Sequence, residues 1–378
     1  MFEERVYEIM TLTHFHIGAG ESLQASIDFV IQGGKVIVLN QGALADIINE
    51  KGYLKDFTEK MLALKGRFEL NRYLAEKHLN TDEILERTKA YTLDLNLGRT
   101  GVTTPIREIK AFIKTAGRPY IPGASVKGAL RVAFLYNLLK RLDPEPRNRF
   151  FKRILETNEE SRLKKQRSKK EVGKAIDEIL LSLTLPGIKG NEPHSDIFRV
   201  LRVSDSEPLD PSVLEVIPVK VLTGNGSKTK AVEFVEALKP GVTFKVKLWI
   251  DKGLLEWFKV HNPHGIRYKG LEIDFEYFEK FFERPFAFSK AMIDDYMQGL
   301  KDKIPSLGEH SANLRLGWGK GQIASTVFNL LPDDLKLYVR RRYFGQNTLI
   351  PISKKTFNSE LLGFCLARRL KLKTERSP

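Results

Sequence analysis

The chain has 378 residues, 42% hydrophobic, 10% aromatic and 29% charged, the composition of a soluble globular protein with room for two domains. It holds no apolar run of transmembrane length, opens with Phe2-Glu3-Glu4-Arg5 and not with a signal peptide, and carries one cysteine, Cys365. A lone cysteine excludes an intrachain disulfide and any cysteine-rich zinc or iron–sulfur centre, and fits a reducing cytoplasm. The formal net charge is +15, and it is concentrated. Residues 140–174 hold 13 Lys/Arg against 6 Asp/Glu, and residues 336–378 hold 11 against 2. Two basic segments on an otherwise near-neutral chain suit a polyanionic partner, of which nucleic acid is the commonest.

In chain order, residues 6–13 predict a strand, followed by His14-Phe15-His16-Ile17-Gly18-Ala19-Gly20. Gly18 and Gly20 free that backbone to approach a ligand or take positive φ. Residues 27–31 and 35–39, joined through Gly33-Gly34, predict a hairpin. From about 42 to 89 the apolar spacing is helical, an insertion without motif chemistry. Residues 91–115 read as a hairpin or protruding β-ribbon carrying Arg99, Arg107 and Lys110.

Next comes Arg118-Pro119-Tyr120-Ile121-Pro122-Gly123-Ala124-Ser125-Val126-Lys127-Gly128-Ala129-Leu130-Arg131. Pro122 and Gly123 turn the chain, Ser125 is a good N-cap, and an apolar helical run follows. A helix start presents amide N–H groups and partial positive charge, and Lys127 and Arg131 share a face four residues apart. Together these predict a phosphate site; the same pattern also describes an ordinary capped turn with solvated bases. Asp143-Pro144-Glu145-Pro146 stops the helix, and residues 140–195 form a basic segment, polar and poor in apolar residues from 158 to 173.

Residues 197–206 predict a strand ending in Val203-Ser204-Asp205-Ser206. A strand over 214–222 contains Pro218, which suggests a sheet edge, and 232–238 predicts another. After Lys239-Pro240-Gly241 the pattern restarts with clean alternation over 242–250 and helices near 275–282 and 288–300. Leu314-Arg315-Leu316-Gly317-Trp318-Gly319-Lys320-Gly321-Gln322 then combines three alternating glycines with an indole for stacking and a cation for phosphate. The order of elements suggests an α+β protein of two halves, 1–240 and 241–378.

Several of these segments resemble the RAMP superfamily of CRISPR proteins. They are His16-Ile17-Gly18-Ala19-Gly20, the Pro119–Arg131 helix entry, Val203–Ser206 and the Arg315–Gly321 glycine loop. Their order is most like that of the fifth Csm-type subunit of type III-A interference complexes. The resemblance spans about residues 7 to 322; 42–89 and 140–195 lie outside it. It implies two ferredoxin-like (RRM-like) halves with helical insertions and a glycine-rich loop over RNA. It implies a cytoplasmic, non-catalytic subunit at the head of a CRISPR ribonucleoprotein, in antiviral defence. There it would hold the 3′ part of the crRNA, engage target RNA and abut the repeated backbone RAMP subunit. It links such a subunit to crRNA maturation through recruited host nucleases, with no cofactor. By motif, the RNA contacts would be His16, Gly18, Gly20, Ser125, Lys127, Arg131, Arg315, Trp318 and Lys320.

Two rival readings stand beside that one. A metal-independent endoribonuclease could use His14 or His16 as general base; their i,i+2 spacing puts both on one face, where a metal could also sit, though no carboxylate cluster accompanies them. Asp205 is a weaker candidate that could instead orient a backbone turn. A protein–protein adaptor with incidental charge is the other. P-loop, HExxH and HD signatures are absent, so nucleotide hydrolysis and zinc peptidase chemistry lack support.

Overall fold

The computed structural model describes residues 2–25, 27–64, 67–99, 101, 104–165, 196–223, 228–268, 271–301, 311–319, 327–345, 347, 349 and 354–371. Its strands, in chain order, begin with β1 (Phe2–Thr11), β2 (Gly18–Gln24), β3 (Phe29–Gln32) and β4 (Lys35–Leu39). After helices α1 (Gln41–Glu50), α2 (Leu54–Leu64), α3 (Leu70–Glu76) and α4 (Thr81–Thr88) come β5 (Lys89–Leu95), β6 (Glu108–Phe112), β7 (Lys114–Thr115) and β8 (Arg118–Pro119). Helices α5 (Gly123–Lys140) and α6 (Pro144–Lys165) precede β9 (Leu201–Val203), β10 (Leu214–Thr223), β11 (Lys228–Leu238) and β12 (Thr243–Asp251). The remainder holds α7 (Lys252–His261), β13 (Ile266–Tyr268), β14 (Leu271–Ile273), α8 (Phe275–Glu283), α9 (Pro285–Lys301), β15 (Leu314–Arg315), α10 (Asp333–Phe344), β16 (Lys354–Phe357), β17 (Glu360–Leu361) and β18 (Phe364–Arg369).

The first sheet is antiparallel, in the order β15-β18-β1-β12-β9. Alternation decides its faces: Phe244, Val246, Leu248 and Ile250 of β12 are buried while Thr243, Lys245 and Lys247 are exposed. Taking β1, β9, β12 and β18 as four strands, with α5 after the first and α9 after the third, the spatial order is fourth, first, third, second. That is the β-α-β-β-α-β arrangement of a ferredoxin-like unit, and the α+β class expected from sequence is the one observed. The boundary expected at 240/241 falls between β11 and β12, and the unit takes strands from both sides of it.

Helix α5 has buried residues on every side, including Val126, Leu130, Phe134, Leu135 and Leu138, so it lies inside the molecule. It packs against α9 and β9, and α9 also meets β15. Phe134 stacks on Phe278 of α8 with ring centroids 4.8 Å apart, at the centre of an aromatic cluster with Phe198 and Phe281. Arg5, buried on β1, donates to the carbonyls of Phe282 (2.5 Å) and Glu283 (3.0 Å), closing the C-terminus of α8.

The second sheet runs β2-β6-β11-β10-β5-β4-β3, with β16 on β10 and β17 on β16. All its strands lie in connections of the ferredoxin-like unit: between β1 and α5, between β9 and β12, and between β15 and β18. The predicted 27–31/35–39 hairpin is present as β3–β4. The predicted 91–115 hairpin is not: β5 pairs with β4 and β10, and β6 with β2 and β11. β10 is interior, not an edge. Pro218 is accommodated because β5 pairs with β10 at residues 215–216 and β16 at 220–222, leaving the proline between them. Residues 197–200 are a 3-10 turn ahead of the short β9. The 42–89 insertion is helical as expected and has its own core of Leu44, Ile48, Phe57, Tyr73, Leu74 and Leu85. Of the basic segment 140–195, residues 166–195 lie outside the described residues, as do residues 372–378 of the basic tail. Among the described residues no helix is long and apolar enough to cross a membrane.

Candidate nucleic-acid interface

Leaving β1, the chain crosses to the second sheet through His14–Gly18. The backbone of this segment is held on one side by residues 316–318 and 363. Gly363 N–H donates to His14 O (2.8 Å), Trp318 N–H to His16 O (2.7 Å) and Leu316 N–H to Gly363 O (2.9 Å). Gly317 has φ +75°, and a Cβ there would lie 2.3 Å from His16 O; only glycine lets the loop sit so close. On the other side Ile113 N–H donates to Ile17 O (2.9 Å), Tyr120 N–H to Ile113 O (3.4 Å) and Ser206 N–H to Ile121 O (3.0 Å). The glycine loop and the α5 entry belong to opposite edges of the five-stranded sheet, and this ladder of loops ties them together.

At the α5 entry the helix begins at Gly123, not at Ser125, and Pro122 is its N-cap without a side-chain bond. The anion that this helix end attracts is Asp205, whose carboxylate accepts Gly123 N–H at 2.7 Å. A Cβ on Gly123 would meet Val203 O at 2.3 Å, which explains why Pro-Gly and Val-Ser-Asp-Ser belong together. Asp205 therefore orients a backbone turn. Arg131 forms an ion pair with Asp196 and lies over the Phe198 ring, so its guanidinium is committed within the fold. Lys127 is half-buried and has no ion pair or hydrogen bond among the described residues; burial lowers its pKa.

At the other end, Arg315 is 3% exposed, donates to Leu362 O (3.2 Å) and Gly319 O (3.3 Å), and stacks on Tyr296 and Phe364. It supports the loop from beneath and does not reach outward. Lys320 lies outside the described residues. Gly18, Ala19 and Gly20 are exposed; Gly20 has φ +87°, and the β2–β6 register breaks between Gly18 and Ser22. Their backbone is thus presented at the surface beside His16.

The histidines are separately engaged. His14 Nε2 bonds Glu215 Oε1 at 2.5 Å. His16, 2% exposed, donates from Nδ1 to Glu236 O at 2.7 Å, with its ring 5.8 Å from the Trp318 indole. Burial, reinforced by Lys110, Lys355 and Lys114, lowers its pKa to about 4, against a carbonyl bond that raises it. At neutral pH His16 is an uncharged ring with Nε2 as acceptor. A base this weak is poorly matched to general-base work near pH 7. The unfolded ring protonates near pH 6.5, so between 6.5 and 4 the unfolded state binds the extra proton. Stability is fully present above pH 6.5 and is lost as pH falls toward 4, by about 2–3 kcal/mol. Urea midpoints measured across that window should fall in the wild type, and His16→Gln should flatten the part due to this residue.

Sequence reasoning missed the cations around the indole. Trp318 is half-buried, with Lys355 Nζ 3.3 Å and Lys110 Nζ 4.7 Å from its ring centroid. Lys110 ion-pairs with Glu233, and burial lowers the Lys355 pKa to about 8. Beneath them Glu236, 0% exposed, accepts from Tyr91 Oη (2.7 Å), Phe112 N–H (2.7 Å) and Lys114. A groove of about 650 Å³ beside Lys110 is lined by Thr104, Arg107, Glu233 and Phe234. His16, expected as an RNA contact, is instead buried and supports the site from beneath; exposed glycine backbone, an indole and convergent lysines compose a surface suited to a sugar–phosphate strand.

The model of the RAMP superfamily matches residues 8–324, most of the chain. The chain belongs to the RAMP superfamily. Among curated proteins, this RAMP chain is 28% identical over 211 residues to the CRISPR system Cms protein Csm5 of Streptococcus thermophilus, covering 53% of the chain and 51% of that protein. The chain therefore aligns with only about half the length of that relative. It is 24% identical over 354 residues to Csm5 of Methanocaldococcus jannaschii, covering 87% of the chain and 75% of the relative. Among solved structures it resembles a chain in a cryo-EM structure of a Csm–crRNA–target RNA ternary complex of a type III-A CRISPR-Cas system. The TM-score is 0.67 at 22% identity, covering 97% of this chain and 100% of that one. The crystal structure of T. onnurineus Csm5 gives 0.62 at 22% identity, covering 95% and 99%. These similarities establish the RAMP fold along nearly the whole chain.

Proposed function

We propose that this chain is a non-catalytic RNA-binding subunit of a type III-A CRISPR ribonucleoprotein. It holds the 3′ part of the crRNA at the head of the filament, abuts the backbone RAMP subunit and contributes to target RNA engagement. The observation that carries this reading is the convergence of exposed Gly18–Gly20 and the Trp318 loop with Lys110 and Lys355, a combination made for backbone contact. The names of its relatives and the complex containing its structural neighbour support the same assignment. Binding without chemistry is favoured because His16 is buried and weakly basic and His14 is tied to Glu215. In this reading crRNA maturation runs through recruited nucleases, and this chain sets where trimming stops.

The test is to purify the assembled ribonucleoprotein with and without this chain and map guide 3′ ends. Their register should become ragged or shift when the chain is missing; unchanged ends would refute the proposed role. Incubating the purified chain with labelled crRNA precursor should give no product, whereas cutting abolished by His16→Ala would establish the endoribonuclease.

A further inference from the structure

We propose that Lys110 and Lys355, seated on the Trp318 indole, form a phosphodiester clamp, with the indole acting as a platform for the two ammonium groups and not for a base. This rests on the RNA-binding reading above; it gives Lys110 and Lys355 the phosphate contact that the sequence motif gave to Lys320, and it replaces the base-stacking role expected of Trp318.

The geometry supplies the argument. Both Nζ atoms lie within 5 Å of one ring centroid, at 3.3 and 4.7 Å, close enough for the ring quadrupole to hold each. The opposing charge is smaller than the positive charge. Glu233 pairs with Lys110, while Lys355 has no ion pair among the described residues. Two cations gathered on one ring repel each other, and an anion between them relieves that repulsion. Lysines recognise phosphate as point charges, without the planar geometry a base or carboxylate fork demands. The indole is also packed against a buried cluster that includes Val219, Val235, Phe357 and Leu362. A stacking base would have to evict Lys355 from the ring; a phosphate needs no such rearrangement. The groove next to Lys110 continues to exposed Arg107, which shares that lining with Glu108 and Glu233.

The test uses the full chain and a fluorescein-labelled single-stranded RNA, followed by anisotropy from 50 to 300 mM salt. Three ligands are compared: the natural RNA, an abasic RNA of the same length, and one with neutral methylphosphonate linkages. The clamp predicts abasic RNA binding within about twofold of natural RNA and a much weaker methylphosphonate. Lys110→Gln and Lys355→Gln should each flatten the slope of log affinity against log salt by about 0.7, the share of one phosphate on a single strand. Lys355→Arg should restore it, which separates charge from misfolding. A tenfold or greater loss with abasic RNA, or unchanged slopes in both Lys→Gln variants, overturns the clamp and leaves RNA binding standing. Absence of salt-dependent RNA binding by the wild-type chain overturns the RNA-binding reading and the clamp with it.

Discussion

Glu236→Ala should destabilise the protein by about 3–5 kcal/mol, the loss expected when one partner of a buried ion pair is removed. The carboxylate is wholly buried and is the acceptor for three donors on three other strands: Tyr91 Oη on β5, Phe112 N–H on β6, and Lys114 on β7. Removing it strands a lysine whose side chain is only 12% exposed and leaves a backbone amide and a phenol unpaired. The main chain of the same residue holds His16, so the damage should extend to the proposed RNA surface. Equilibrium urea unfolding measures the effect. Glu236→Gln, which keeps one acceptor oxygen but not the charge, should lose less. A loss under 1 kcal/mol for Glu236→Ala would mean that the three donors find other partners.

Gly363→Ala should cost about 4 kcal/mol, combining backbone strain with steric overlap. Gly363 has φ +90°, and a Cβ would stand 2.1 Å from Leu316 O. That contact cannot yield by a rotamer change, because both partners are backbone and are bonded in the ladder that includes His14 O and Leu316 N–H. The methyl group would push the glycine loop off the His14–His16 segment. Thermal melting reads the stability loss, and salt-dependent RNA binding should weaken in the same variant. Gly34→Ala is the control: φ is +74° but a Cβ meets nothing within 4 Å, so strain acts there alone.

What was legible in the sequence was periodic or local. The alternation of β12, the β3–β4 turn and the helical insertion each express a short-range rule, and each appeared where expected. The glycine-loop and His16 motifs were legible because they require unusual residues in close succession. What failed was non-local. Ser125 has the right chemistry for a cap, but the carboxylate that serves the helix comes from Asp205, 82 residues away from Gly123. Arg131 and Arg315 looked like free cations because their partners, Asp196 and the Leu362 carbonyl, are distant in sequence. Lys355 sits in no motif at all; it reaches Trp318 because β16 pairs with β10. The β5–β6 error has the same origin, since turn signals suggest a local partner and cannot reveal a parallel one.

The threading of the ferredoxin-like unit also governs how this molecule is assembled. β1 must wait for β12, some 240 residues downstream, and for β18, more than 350 downstream, before its backbone is satisfied on both sides. Such high contact order places this protein among slow folders, and during synthesis the first strand emerges long before either neighbour exists. The helical insertion, with a private core, can collapse early, whereas the surface that would hold RNA is finished only when the last strand docks. Nascent chains should therefore need shielding of that first strand, and a ribosome-bound intermediate arrested before residue 364 should be compact in its insertion yet incompetent to grip a guide.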